Sequence, residues 1–112
     1  MCIFASDMEQ HEVIRHIKEK ALKILPEGSS LWLYGSRARG DAHDGSDYDL
    51  LILLDKDKIT SGDYDDYVYA FSILGVNIDE EINPHIYTRR DWEKWSFEPF
   101  HSNVEREKIV LR

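Results

Sequence analysis

Residues 31–54 read LWLYGSRARGDAHDGSDYDLLILL. One apolar run stops at Gly35-Ser36, and another, residues 50–54, follows Asp47-Tyr48-Asp49. Short apolar runs bounded by turn residues read as strands buried on both faces. Residues 35–46 hold three of the six glycines and must reverse the chain between them. The stretch therefore predicts two strands, 29–34 and 46–55, paired as neighbours across a polar loop.

The flanks supply the layers that cover such strands. Ser6 and Glu9 have capping-box spacing, and Val13, Ile14, Ile17, Ala21, Ile24 and Leu25 recur with helical period, so a helix is expected over 7–25. Pro26-Glu27-Gly28 stops it. Downstream, Thr60 or Ser61 caps a second helix. Its buried face is expected to be Tyr64, Tyr67, Val68, Phe71, Leu74 and Ile78, with Gly75 and Asn77 weakening its end. Residues 82–87 read as a third strand, placed at an edge by Pro84. Thr88 caps a helix running through Trp95, with Asp91 at its third position. Pro99 closes that region, Asn103 caps a last helical turn over 104–108, and the apolar tail 109–111 needs burial. The order α-β-β-α-β-α predicts a small mixed sheet of three or four strands with helices packed on it, α/β or α+β in class. At 112 residues the chain suits one domain, 1–112.

Composition narrows the function. The net charge of −8 opposes non-specific binding to nucleic acid or anionic membranes. Cys2 is the only cysteine, which rules out an internal disulfide and a cysteine metal cage. No stretch approaches the roughly 20 apolar residues of a membrane span. The N-terminus lacks a signal-peptide apolar core, so a cytoplasmic location is expected. Asp63, Asp65 and Asp66 suit the first turn of a helix, where acids meet the positive end of its dipole.

Asp47 and Asp49 invite a different reading. Two positions apart on a strand, they point to the same side, roughly 6–7 Å apart at Cα. Such carboxylates repel unless a cation sits between them. Mg²⁺ suits them, since it is commonly held by one or two carboxylates plus substrate phosphates. Gly35-Ser36, at the end of the preceding strand, can form a backbone anion nest, and Ser36 adds a hydroxyl. Of Arg37 and Arg39, one is expected to reach phosphate and the other to pair with Asp41 or Asp44. Each motif alone is common. Gly-Ser at a strand end, ten residues, and then Asp-x-Asp leading an apolar strand is far more specific.

The run GSRARGDAHDGSDYDL resembles the signature of the DNA polymerase beta-like nucleotidyltransferase superfamily. Within it, the closest likeness is to the minimal nucleotidyltransferases, often the antitoxin partners of HEPN-domain proteins. The resemblance implies that Gly35, Ser36, Arg37 and Arg39 bind the nucleotide. It also implies that Asp47 and Asp49 hold two Mg²⁺ ions roughly 3.5–4 Å apart. The family's third carboxylate, a metal ligand and general base on the next strand, has no counterpart where it is expected: Asn83 stands there. Asn83 can offer a carbonyl to metal but cannot take a proton. Glu81, two residues earlier, is the candidate base, and His85 a weaker one.

Two functions follow from the resemblance. In the first, the chain transfers a nucleoside monophosphate, AMP from ATP or the monophosphate of another NTP, to a hydroxyl, such as one on a partner HEPN-type toxin, with acceptor recognition expected from that partner or a second subunit. In the second, it is a catalytically weakened antitoxin acting by contact, with the aromatic C-terminal third as interface. The blander expectation for that third, including Trp92 and Trp95, is that it closes the core.

Overall fold

The computed structural model describes residues 9–112. Strands β1 (Ser30–Tyr34), β2 (Tyr48–Leu54), β3 (Ile82–Thr88) and β4 (Ile109–Val110) form one sheet in the order β3-β2-β1-β4. As expected from residues 31–54, β1 and β2 pair antiparallel across the loop, with Tyr34 opposite Asp49. Between β2 and β3 the chain makes a helical crossover, so these two run parallel, with Asp49 opposite Asn83. The remaining elements are α1 (Gln10–Ile24), α2 (Ser36–Arg39), α3 (Ser61–Asp63), a π-helical turn (Tyr64–Val68), α4 (Tyr69–Ile78), α5 (Arg89–Lys94) and α6 (Pro99–Glu107). The fold is thus a mixed α/β arrangement with a four-stranded mixed sheet.

Both faces of the sheet are covered, which is why residues 50–54 are apolar without alternation. One face presents Leu31, Leu33, Leu50 and Ile52 to Val13 and Ile17 of α1 and Phe71 of α4. The other presents Trp32, Tyr34, Leu51 and Leu53 to Trp92 of α5 and Val104 of α6. The aromatic C-terminal third therefore closes a second core. Trp92 is buried at its centre, donating from Nε1 to Glu105 Oε2 at 2.8 Å and stacking on His101 at 4.4 Å between ring centroids. Trp95 stays half-exposed at its rim, edge-on to Tyr87.

Several local expectations need correction. The Ser6 cap lies outside the described residues, and α1 begins at Gln10 with Glu9 at its N-cap. The second helix has the expected Thr60 cap, reciprocated by Asp63, but its π-helical turn changes which side chains face the core. A π turn adds a residue and shifts the helical phase. Tyr64, expected inside, is 53% exposed. Gly75 is not a weak point, since it is buried where the chain doubles back into β3. A Cβ there would lie 2.6 Å from the Glu80 carbonyl oxygen. Pro99 does not end a region but opens α6 at its first position, where a missing N–H costs nothing. Asn103 accordingly sits inside α6 rather than capping it. The tail is only partly buried: Leu111 packs on the first core, while Ile109 and Val110 join β1 as an edge strand with exposed side chains.

Among the described residues no helix is long and apolar enough to cross a membrane.

Candidate active site

The site forms where β1 ends beside the start of β2. Because Tyr34 pairs with Asp49, Gly35 is laid directly against the Asp49 side chain. Gly35 has φ 77° and ψ −160°, a conformation essentially confined to glycine. A Cβ at this position would overlap Asp49 Oδ2. Glycine is needed here for both its backbone and its missing side chain. The next four residues form α2, a single turn in which the Gly35 carbonyl accepts from Ala38 N at 3.0 Å and Arg39 N at 2.9 Å. Gly40, left-handed at φ 90°, ends it. Among the described residues the N–H groups of Ser36 and Arg37 and the Ser36 hydroxyl have no protein partner. The turn thus keeps free donors at the opening of a helical turn, as an anion nest requires.

The two arginines go to different places. Arg37 donates from Nε and Nη2 to the Ser46 carbonyl (3.2 and 3.1 Å) and from Nη1 to Gln10 Oε1 (3.4 Å). Its guanidinium lies 4.4 Å from the centre of the Tyr48 ring. It therefore ties the 41–46 loop to α1, with each guanidinium nitrogen donating one hydrogen bond. Arg39 is the arginine that pairs with an acid of the loop: its Nε donates to Asp41 Oδ2 at 3.2 Å. Its Nη1 meets both oxygens of Glu107 at 3.3 Å.

Asp47 is exposed and Asp49 half-buried at the head of β2. Asp49 Oδ1 accepts from Asn83 Nδ2 at 3.1 Å, the cross-strand partner its register dictates. Burial raises the Asp49 pKa, and the charge of Asp47 raises it further. The Asn83 hydrogen bond, His85 and Arg39 oppose the rise without cancelling it. Asp49 is thus under-neutralised. Burial and the charge of Asp49 also push the Tyr34 hydroxyl strongly upward, so it stays neutral.

This donor set fits a hard divalent cation that draws its remaining ligands from phosphate and water: two carboxylates, an amide alongside and no base between them. It does not supply a three-acid cage. Among the described residues no three His, Cys, Asp or Glu side chains gather as a metal group. Glu81 lies ahead of β3 and does not join Asp47 and Asp49 in such a group. It lines a neighbouring groove of about 1170 Å³ between α1, the end of α4 and the 44–46 loop. That groove is bordered by Arg37, Ser46 and Ile82 but not by Gly35, Ser36, Asp47 or Asp49, so it adjoins the motif rather than containing it. His85 is opposite Leu51, with its ring centroid 6.5 Å from that of Tyr34. One residue of the site was not foreseen. Glu107 accepts the Gly35 N–H at 2.9 Å, from 72 positions away.

Residues 14–111 match the family described as Nucleotidyltransferase domain. The chain belongs to that family. No curated protein matches it. Among solved structures, the chain is similar to a toxin–antitoxin crystallised with AMP-PNP, at 17% identity over 88% of this chain and 72% of that one (TM-score 0.61). It is also similar to a mutant of the toxin–antitoxin MntA–HpeT, at 14% identity over 94% and 73% (TM-score 0.56). A third similarity is to a Sulfolobus solfataricus protein assigned as a nucleotidyltransferase, at 20% identity over 97% and 87% (TM-score 0.58). At these identities the likeness speaks to the fold alone.

Proposed function

We propose that this nucleotidyltransferase transfers a nucleoside monophosphate, AMP from ATP, to a hydroxyl on a protein partner, and that the partner is a HEPN-type toxin. The reading rests above all on the Gly35-Ser36 turn, with its free donors, packed against Asp49. Support for a protein acceptor comes from the neighbours, two of which are toxin–antitoxin assemblies. Asp47 and Asp49 would hold Mg²⁺, which when bound supplies charge neutralisation at the phosphates and leaving group.

The chain's own residues do the rest. The Ser36 and Arg37 N–H groups and the Ser36 hydroxyl bind the terminal phosphates and orient the α-phosphorus for in-line attack. Asn83 fixes one oxygen of Asp49 and so aims its carboxylate. The acceptor oxygen bonds to the α-phosphorus as the bond to the bridging oxygen breaks, and pyrophosphate leaves. Asn83 cannot accept the hydroxyl proton, which passes to water. Incubation with α-labelled ATP, Mg²⁺ and the co-expressed partner should label the partner. Asp47→Asn with Asp49→Asn should abolish the label, and labelling that survives the double substitution refutes the proposal.

Asn83 favours a second reading, because an amide occupies the register position opposite Asp49 where a third acid is expected. On that reading the chain neutralises its partner by contact. The double variant would then neutralise the partner fully, whereas on the enzymatic reading it would bind the partner without neutralising it.

A further inference from the structure

Glu107 is the last residue of α6, and its side chain is only 13% exposed. Its Oε1 accepts the Gly35 N–H at 2.9 Å, and both oxygens meet Arg39 Nη1 at 3.3 Å. One carboxylate thereby joins the end of β1, the end of α2 and the end of α6. Its placement is set by strand pairing. Leu33 is opposite Ile109 and Trp32 opposite Val110, and continuing that antiparallel register by two residues puts Glu107 opposite Gly35. Lys108 secures the junction, with its ammonium 3.7 Å from the centre of the Trp32 ring and 2.6 Å from Glu105 Oε1.

The Gly35 N–H needs this partner. The β1–β2 register ends at Tyr34, and Gly35 leaves the strand in its glycine-only conformation. Glu107 is not spent on a cation, since no third acid joins Asp47 and Asp49 among the described residues. Its charge is used on the turn itself. Holding Gly35 from behind leaves the N–H groups of Ser36 and Arg37 as the open donors.

We propose that Glu107 is a positioning residue: it clamps the phosphate turn from the C-terminal helix, so that nucleotide affinity is set partly by α6 and β4. The proposal deepens the nucleotidyltransferase reading and rests on it for the identity of the ligand. The opposite role would be a plug that phosphate must displace. A side chain only 13% exposed and three contacts that span both ends of α2 favour the clamp.

Two substitutions separate these roles. Glu107→Gln keeps an acceptor oxygen for Gly35 but loses the charge facing Arg39, and Glu107→Ala loses both. Titration calorimetry with AMP-PNP and Mg²⁺ should show about tenfold weaker binding for Glu107→Ala, the scale of one charge-assisted hydrogen bond, and about threefold for Glu107→Gln. Without nucleotide, amide exchange at Gly35 should speed up about tenfold or more in Glu107→Ala, while the amides of β2 keep their protection. Unchanged or tighter binding by Glu107→Ala overturns the clamp, and so does unchanged exchange at Gly35. If the natural protein fails to bind AMP-PNP, the functional reading falls, and the exchange measurement still decides whether Glu107 holds the turn. Should Glu107→Ala not fold, Glu107→Gln carries the titration, and unchanged or tighter binding by that variant overturns the clamp.

Discussion

Gly35→Ala should cost about 2–3 kcal/mol of stability. The conformation of Gly35, φ 77° and ψ −160°, is one that costs a residue with a Cβ on the order of 1–3 kcal/mol. The new methyl would also overlap Asp49 Oδ2. Rotating that carboxylate away relieves the overlap but gives up the hydrogen bond from Asn83, about 0.5–1.5 kcal/mol. Against these, alanine restricts the unfolded chain and returns about 0.4–1 kcal/mol. Gly40→Ala is the control. Gly40 is left-handed at φ 90° and ψ 10°, and nothing lies within 4 Å of its would-be Cβ. It should lose only about 1 kcal/mol, the conformational part alone. Urea unfolding followed by tryptophan fluorescence reports both variants, and the slope should be unchanged. If Gly35→Ala is no less stable than Gly40→Ala, the close approach of turn and carboxylate does not constrain this position.

Other perturbations test other parts of the structure. Gly75→Ala should destabilise by about 1–2 kcal/mol, because the clash with the Glu80 carbonyl and Ile82 outweighs the better helix propensity of alanine; a gain in urea midpoint would contradict that packing. Burial disfavours the charged form of Asp63, but Lys56 and the N–H and hydroxyl of Thr60 outweigh it and lower the pKa. The Asp63 contribution is therefore complete above the unfolded value near about 4 and fades as pH falls through the lower folded value. Asp63→Ala should cost about 1 kcal/mol at pH 7 and flatten the acid limb of the pH–stability curve, both read by thermal melts. Asp49 has the opposite sign: its raised folded pKa means that the ionised carboxylate opposes folding once pH exceeds the unfolded value. Metal-free Asp49→Asn should melt higher than the natural protein at pH 7, and a lower melting point would refute the electrostatic reading.

Much of this was legible in residues 31–54 because the information there is local. Apolar runs and turn residues specify two strands and their reversal, and period two puts Asp47 and Asp49 on one face. What escaped reading depends on contacts distant in sequence. The role of Gly75 is set by a carbonyl that arrives only after the chain reverses at Asp79, which adopts φ 58°. The phase of the second helix is altered by a π turn that no apolar spacing announces. Pro99 is ambiguous in sequence because the same residue can follow one helix or open the next, and tertiary packing of α6 on the second core decides. Glu107 carries no motif. Its position beside Gly35 follows from pairing a two-residue edge strand, β4, with β1, and so short a strand has no signature of its own.

The turn and the paired acids share a physical oddity that ordinary fold stability does not explain. Gly35 occupies a backbone conformation open only to glycine, and Asp49 is half-buried beside a second acid with no lysine or arginine bonded to it. Each feature costs stability, and the two meet where β1 and β2 end their pairing. The rigid, two-sided core behind residues 50–54 can sustain that cost because Leu50, Leu51 and Ile52 are fully buried. Removing the Asp49 charge should stabilise the metal-free fold, whereas Gly35→Ala destabilises it because only glycine fits there; on the proposed function the two features serve a ligand of both charges, anion at the turn and cation at the acids. The Asp49→Asn melt and the nucleotide titration therefore test one idea from two directions: the substitution that steadies the empty protein should be the one that loses the nucleotide.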